Sequence, residues 1–378
     1  MGLLRLLLAF AVFFQHAMSS GGFSWISGIA AVYVFFVISG FYIQMVLATR
    51  YTPEQLGPAW WRMFHVARYC RLYPAYAAAC LIAIAVQALF SLQEPSIASS
   101  PDALAPPTDA RSSAGIGMAF GLTLSQLTMI GLNIPSSSQL LVGPAWSLGV
   151  ELSFYLLAPW LLRLSDRKLI ALMAFGLLLR LVPYNTHAPL MAASECFLAG
   201  ALAWRWRGAL DWTARWPRKL ARPAAYALAM MLPMLALSHQ PIFPIPYTHI
   251  EIDTLVAPFL AALVIPAMYR ATHDLRVDRL LGELSYPFYL FHEPLLRLLG
   301  LVPHGPSPMT DNALTGAAFL VALLLSALML ALEMRLISPW RTALSKPRVA
   351  DIVHAGPIRT SAPGGTPASM TSASGSSV

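Results

Sequence analysis

The feature that most constrains this chain is a succession of long apolar segments separated by short loops. The 378 residues are 57% hydrophobic and 11% charged, whereas soluble domains carry roughly 25% charged residues. A membrane-spanning helix needs about 20 mainly apolar residues. The sequence therefore predicts an all-α polytopic membrane protein with apolar segments near 3–19, 28–48, 72–90, 115–133, 145–163, 169–183, 189–206, 223–238, 250–269, 284–301 and 313–336.

The basic residues of the loops predict how these segments are oriented. Lys and Arg residues concentrate after the second, fifth, seventh, ninth and last segments, and the remaining loops contain only Arg111. Cytoplasmic loops of membrane proteins are enriched in Lys and Arg, so the basic loops are expected on the cytoplasmic side. This distribution also explains the net charge of +8 without a nucleic-acid partner.

Each crossing of the bilayer reverses the side of the next loop. All the basic loops fall on the cytoplasmic side only if one of the eleven segments does not cross the bilayer. Segment 115–133 is the best candidate, because it is rich in glycine and contains Ser125, Gln126 and Asn133. Such a segment is tolerated at membrane depth only where protein or water covers it. We therefore predict about ten transmembrane helices, one re-entrant or interfacial segment, and cytoplasmic termini.

Three further regions complete the predicted organisation. The stretch 53–70 mixes aromatic residues with arginines, which is typical of an amphipathic helix on a membrane surface. The membrane domain extends over 1–340, and the Gly-, Ser- and Pro-rich tail 346–378 is expected to be disordered and cytoplasmic. Neither the three cysteines nor the scattered histidines have metal-ligand spacing, so the sequence indicates no metal site.

The first apolar segment carries two ionisable residues, Arg5 and His16. Eleven positions are about three helical turns, so both side chains lie near one face and about 16 Å apart. Ionisable groups at membrane depth usually face a protein interior or a water-filled cavity. His16 is therefore either a functional residue or an interfacial residue bonded to a neighbouring carbonyl group.

Three other stretches place polar residues in or beside apolar segments. Glu151 follows Trp146 and Ser147 and lies about two helical turns inside an apolar segment. A carboxylate buried there must be paired with a cation, hydrogen-bonded or protonated. It is either a partner of an arginine or a group that orients a catalytic residue. Trp146 and Ser147 could line a sugar-sized pocket, or Trp146 could simply anchor the membrane interface.

The arginines of the third stretch, Arg68 and Arg71, are three residues apart and so are neighbours on a helix. A pair of guanidinium groups suits phosphate binding, and it also suits anchoring at the cytoplasmic interface. His292 and Glu293 lie inside a late segment, where they are either functional or a polar pair between helices.

The order and the sequences of these motifs resemble those of the membrane-bound acyltransferase-3 family, whose members O-acylate bacterial glycans. In the first helix of that family, a basic residue is followed by ten residues and then by a histidine. Arg5 and His16 match this spacing. The family sequences FFVLSGF, R-x-x-R-I-Y-P, WSLxVE and S-Y-x-x-Y-L-x-H-x-P are similar to the segments Phe35–Phe41, Arg68–Pro74, Trp146–Glu151 and Ser285–Pro294. The chain departs from the family at Tyr33 and Leu152, where acidic residues are common.

The resemblance implies a reaction and a role for each residue. An acyl group, most simply acetyl, would pass from acyl-CoA to a hydroxyl of a cell-surface or exopolysaccharide glycan in the bacterial inner membrane. His16 would be the general base or acyl acceptor, assisted by Glu151. Arg5, Arg68 and Arg71 would bind the CoA phosphates, and the acceptor side would include Trp146, Ser147 and His292.

Two alternatives remain compatible with the residues alone. Transporters and flippases of acyl donors or lipid-linked glycans also combine about ten helices with buried ionisable residues. The chain has no detectable inverted repeat, which speaks against that class. The other alternative is a catalytically inactive family member that acts as a scaffold.

Overall fold

The computed structural model describes residues 1–17, 26–93, 113–135, 139–181, 193–235, 252–299 and 312–337. These residues contain no β-strand, which confirms the all-α prediction for this part of the chain. The predicted disordered tail 346–378 lies outside it. The α-helices are α1 (Gly2–Ala17), α2 (Gly28–Thr49), α3 (Pro53–Leu56), α4 (Trp60–Gln93), α5 (Ser113–Thr128), α6 (Trp146–Leu161), α7 (Asp166–Leu181), α8 (Ser194–Arg205), α9 (Arg207–Leu210), α10 (Arg218–Leu235), α11 (Ile252–Thr272), α12 (Arg276–Leu298) and α13 (Asn312–Leu332).

Four regions of the described chain are long and apolar enough to cross a bilayer: Gly28–Thr49, Pro53–Leu89, Asp253–Thr272 and Asn312–Leu336. They identify the protein as a helical membrane protein. Helix α1 is apolar but has only 16 residues, and α6, α7 and α8 have 16, 16 and 12. The count of ten transmembrane helices therefore stays a prediction.

The stretch predicted as an amphipathic surface helix, 53–70, is divided between two helices in the structure. The break lies at Gly57, whose φ of 65° is readily adopted by glycine, and it is followed by Pro58. From Trp60 a single helix of 34 residues, α4, continues through Pro74 to Gln93. Arg68 and Arg71 consequently belong to the same rigid helix as the span that follows them.

Segment 115–133 forms helix α5 and then turns back towards the start of α6. Met129 and Gly131 have φ values of 60° and 76° in this turn. The backbone of the helix end is held by α4, because the hydroxyl of Tyr76 donates to the carbonyl of Gln126 at 2.8 Å. The turn is compatible with a re-entrant segment, and the prediction that 115–133 does not cross the bilayer remains open.

Helices α2 and α8 cross with their backbones in close contact. A Cβ atom added at Gly40 would overlap the carbonyl group of Phe197, and one added at Gly200 would overlap the carbonyl oxygen of Val37. Small residues allow such backbone contact between membrane helices. This contact places Ser39, which precedes Gly40, on a fixed side of α2 that faces α6.

The other main packing contact joins α1 to α12, and α12 also packs on α4 and α13. Between these helices and α2 lies an open space at one end of the bundle. We call this the basic end, because Arg50 after α2 and Arg279 at the start of α12 line it. Arg5 lies near this end, and His16 lies about three turns further along α1.

Candidate active site

A cavity of about 540 Å³ opens at the basic end. Its lining comes from the two halves of the chain, including α1, α2, α4, α6 and α12. Five arginines and three carboxylates reach it, so the cavity carries an excess of positive charge. These residues are Arg5, Arg50, Arg68, Arg71, Arg279, Glu151, Asp278 and Glu283.

Three of the arginines form a like-charged group at the centre of this lining. Arg71 is close enough to both Arg5 and Arg68 for their positive charges to repel each other. Within the described residues, none of the three forms a salt bridge. The Nε atom of Arg68 is buried without a hydrogen-bond partner in this part of the chain. Partly buried guanidinium groups without a counter-charge are costly, so the cavity is suited to an anionic ligand.

Glu151 lies beside these arginines, but its hydrogen bonds go elsewhere. The hydroxyl groups of Ser39 on α2 and Tyr155 on α6 both donate to its Oε1 atom. Tyr155 is one helical turn after Glu151, whereas Ser39 is brought there by the α2–α8 crossing. The carboxylate is thereby held on the cavity wall by two neutral donors.

The inner end of the cavity is closed by hydroxyl groups. Ser147 and Tyr289 are hydrogen-bonded through their hydroxyls at 2.9 Å, and both line the cavity. Tyr289 also donates to the carbonyl of Pro144 at 3.2 Å. Its ring lies 5.9 Å from the ring of His292, so Tyr289 contacts both the cavity and the groups beyond it.

Two histidines meet beyond Tyr289. The Nδ1 atom of His16 lies 2.8 Å from the Nε2 atom of His292, and their rings are nearly parallel, with an interplanar angle of 16°. His292 is completely buried, whereas His16 is partly exposed. An imidazole in this position can accept a proton or form a bond to an acyl group.

The structure brings five of the eight predicted site residues to one cavity. These are Arg5, Arg68, Arg71, Ser147 and Glu151. His16 and His292 form the adjacent pair. Trp146 lies outside the cavity lining, half-buried, with its ring edge-on to Phe36 at 6.5 Å.

The predicted assistance of His16 by Glu151 stays a prediction. The described residues show no direct hydrogen bond between these two side chains. The hydrogen bonds of Glu151 go to Ser39 and Tyr155, and the partner of His16 is His292. The reason is helix packing, which places Glu151 beside the arginines and α12 beside the end of α1.

Several residues of the site were missed by sequence reasoning. Ser39 and Tyr289 appeared only within the segments Phe35–Phe41 and Ser285–Pro294, and Tyr155 was not singled out. The spacing carried a signal for two of them. Tyr155 is four residues after Glu151, and Tyr289 is three residues before His292, so each pair shares one face of its helix.

A second buried arginine, Arg180, lies at the opposite end of the bundle and was also missed. It donates to Glu195 at 2.9 Å and to the carbonyl of Thr254 at 2.8 Å. Its guanidinium lies over the ring of Tyr33, 4.2 Å from the centroid. This group joins α2, α7, α8 and α11, and every contact is internal to the protein.

Comparison with known proteins identifies one similarity. A family model described as an acyltransferase domain, Acyl_transf_3, matches residues 1–332. No curated protein and no solved structure matches the chain. The matched region contains the cavity, the histidine pair and the Arg180 group.

Proposed function

The chain belongs to the acyltransferase-3 family, and on that premise we propose that it transfers an acyl group from acyl-CoA to a glycan hydroxyl. The protein is a membrane acyltransferase. The finer assignment is an acetyl group taken from cytoplasmic acetyl-CoA and transferred to a cell-surface glycan or exopolysaccharide in the bacterial inner membrane. Both chain termini are then cytoplasmic, as the loop charges predict.

The observation that carries this proposal is the group of arginines in the cavity, which form no salt bridge within the described residues. CoA is a polyanion with a pyrophosphate and a separate phosphate. Guanidinium groups bind phosphate through a planar fork of N–H donors. Arg5, Arg68 and Arg71 offer such donors within one cavity and form no salt bridge in the described chain. We assign them to the phosphates of CoA.

The direction of the cavity supports a path for the acyl group. From the arginines the lining continues to Ser147 and Tyr289, and Tyr289 contacts His292. A pantetheine arm that follows this line would bring its thioester towards His16. Movement of the Tyr289 hydroxyl away from Ser147 would be needed to complete the passage.

The chemistry assigned to His16 is that of a general base or a transient acyl acceptor. As a base, it takes the proton of the glycan hydroxyl while the oxygen attacks the thioester carbonyl. The bond from carbon to sulfur then breaks, and the CoA thiolate takes the proton from His16. General acid–base catalysis of this kind contributes about 10²–10⁴-fold in rate. Trp146 is proposed as an acceptor contact beside this centre.

The test is acylation of the surface glycan in a bacterial host whose only copy of the gene carries His16→Ala. Mass spectrometry of the purified polysaccharide, before and after mild alkali, detects O-linked esters and identifies the acyl group by mass. The wild type should show an alkali-labile acyl mass that is absent in His16→Ala at equal membrane levels. His65→Ala is the matched control, because the contacts of His65 within the described residues are with side chains and backbone carbonyls of α4 and α6.

Unchanged acylation in folded His16→Ala would contradict the catalytic role of His16. If the glycan of the wild type carries no alkali-labile ester, a transporter or flippase function becomes the better explanation. Uptake of labelled acetyl-CoA into sealed vesicles would then distinguish transport from transfer.

A further inference from the structure

The contact between His16 and His292 determines which nitrogen of His16 can react. Its Nδ1 atom is occupied by Nε2 of His292 at 2.8 Å. Only Nε2 of His16 is therefore available to a substrate. A hydrogen bond between two neutral imidazoles contains one proton, so one ring must donate and the other must accept.

The position of that proton separates a reactive state from an unreactive one. If Nε2 of His292 donates, His16 carries its own proton on Nε2 and cannot accept another there. If Nδ1 of His16 donates, its Nε2 atom keeps a free lone pair and can act as base or nucleophile. The tautomer of a histidine is set by the hydrogen bond that its other nitrogen makes.

Catalysis by His16 requires the second of these states. His292 is 0% exposed, and its Nδ1 atom has no hydrogen-bond partner within the described residues. Its other ring nitrogen, Nε2, has Nδ1 of His16 as its partner. A neutral His292 that carries its proton on Nδ1 leaves Nε2 as the acceptor for His16, and this is the tautomer that the proposed role of His16 requires.

Aromatic rings hold this pair in place. The ring of His292 lies 6.2 Å from that of Phe13 and 6.5 Å from that of Phe288. The charged groups next in sequence on α12, Glu293 and Arg297, form a salt bridge with each other. The direct hydrogen-bond partner of His16 is therefore a second imidazole and not a carboxylate.

We propose that His292 is a positioning residue that accepts a hydrogen bond from Nδ1 of His16 and keeps Nε2 of His16 unprotonated. This inference rests on the proposed function for its catalytic consequence. When Nε2 of His16 takes the proton of the glycan hydroxyl, the resulting imidazolium donates a charge-assisted bond through Nδ1 to His292. The proton on Nε2 then passes to the CoA thiolate, and both histidines return to their starting states.

The tautomer can be measured without any assay of activity. Magic-angle-spinning ¹⁵N NMR of histidine-labelled protein in lipid bilayers distinguishes protonated from unprotonated ring nitrogens. Comparison with His16→Gln assigns the His16 signals. We expect the proton of His16 on Nδ1 in the wild type and on Nε2 in His292→Phe. A wild-type His16 that carries its proton on Nε2 would overturn the proposal.

The kinetic consequence is measured as transfer of labelled acetyl from acetyl-CoA in inverted membrane vesicles. His292→Phe should lose roughly 100-fold or more of the maximal rate, with the KM for acetyl-CoA within twofold of wild type. His292→Gln should recover at least a tenth of the wild-type rate, because its amide oxygen can accept from His16. Equal losses in the two variants at equal thermal stability would contradict a positioning role.

The two proposals fail in different ways. Absence of acetyl transfer by the wild type would contradict the proposed function, and the NMR result would still decide the tautomer. Normal transfer with His16 protonated on Nε2 would contradict the role of His292 alone.

Discussion

Arg180 and the arginines of the cavity differ in what their guanidinium groups contact. Arg180 is fully engaged by Glu195, the Thr254 carbonyl and the ring of Tyr33. Arg68 and Arg71, at the other end of the bundle, line a cavity and form no salt bridge in the described chain.

The difference separates a structural role from a ligand-binding role. A buried charge whose partners all come from the protein stabilises one packing of the helices, and removing a single partner leaves the other uncompensated. A group of like charges around a cavity lowers stability, and a bound anion offsets that cost. Residue type and burial are similar in the two regions, so the partners are what distinguish them.

The largest effect expected from this comparison is on folding, through Arg180→Leu. The change leaves Glu195, which is 0% exposed, without its salt-bridge partner. Breaking a buried pair costs about 3–5 kcal/mol. We expect a lower melting temperature and a smaller folded fraction in detergent, measured by size-exclusion chromatography after heating. The double variant with Glu195→Met should recover stability, and a wild-type melting temperature in the single variant would contradict a structural role.

The cavity arginines should show the opposite behaviour. Arg71→Ala should raise the KM for acetyl-CoA about 10–100-fold, since a hydrogen bond to a charged group contributes about 1.5–3 kcal/mol, and should leave the melting temperature unchanged or raised. The assay is acetyl transfer in inverted vesicles. Arg62→Ala is the matched control, because Arg62 is an exposed arginine on the same helix. An unchanged KM, or unfolding as in Arg180→Leu, would remove the distinction between the two regions.

A substitution at the α2–α8 crossing tests how rigid the helix packing around Arg180 is. Gly200→Ala forces the two backbones apart, because the new Cβ would overlap the Val37 carbonyl. Overpacking of this kind costs typically about 1–3 kcal/mol. Gly316→Ala on α13 is the control, since nothing lies within 4 Å of its added Cβ. Equal thermal stabilities of the two variants would show that the crossing can relax.

The smallest effect is expected at Glu151. Tyr155→Phe removes one of its two hydroxyl donors, which should cost about 1–2 kcal/mol and reduce the rate of acetyl transfer roughly 5–30-fold. Tyr73→Phe is a suitable control because Tyr73 is on α4 but does not line the cavity. If Tyr155→Phe transfers acetyl at the wild-type rate, the position of Glu151 does not limit the reaction.

Much of the site could be predicted because its residues lie in short local patterns. Arg68 and Arg71 are three residues apart, and Arg5 and His16 are three turns apart, so each pair was predicted to share a helix face. Ser39 escaped prediction as a partner of Glu151 because it is 112 residues away. Tyr155 is only four residues from Glu151, so its position could have been predicted from helical spacing. Arg180 escaped because its pairing with Glu195 depends on how α7 and α8 turn towards each other.

The sequence by itself determined the membrane class, the all-helical fold and the family, because apolar length, helical period and short motifs are properties of neighbouring residues. Only the tertiary structure decided which helix faces pack against each other. The His16–His292 contact joins residues 276 positions apart, and Glu151 is bonded to Ser39 rather than to His16. The physical reason is that helical periodicity directs a side chain to one face, whereas close packing between helices selects the group opposite it.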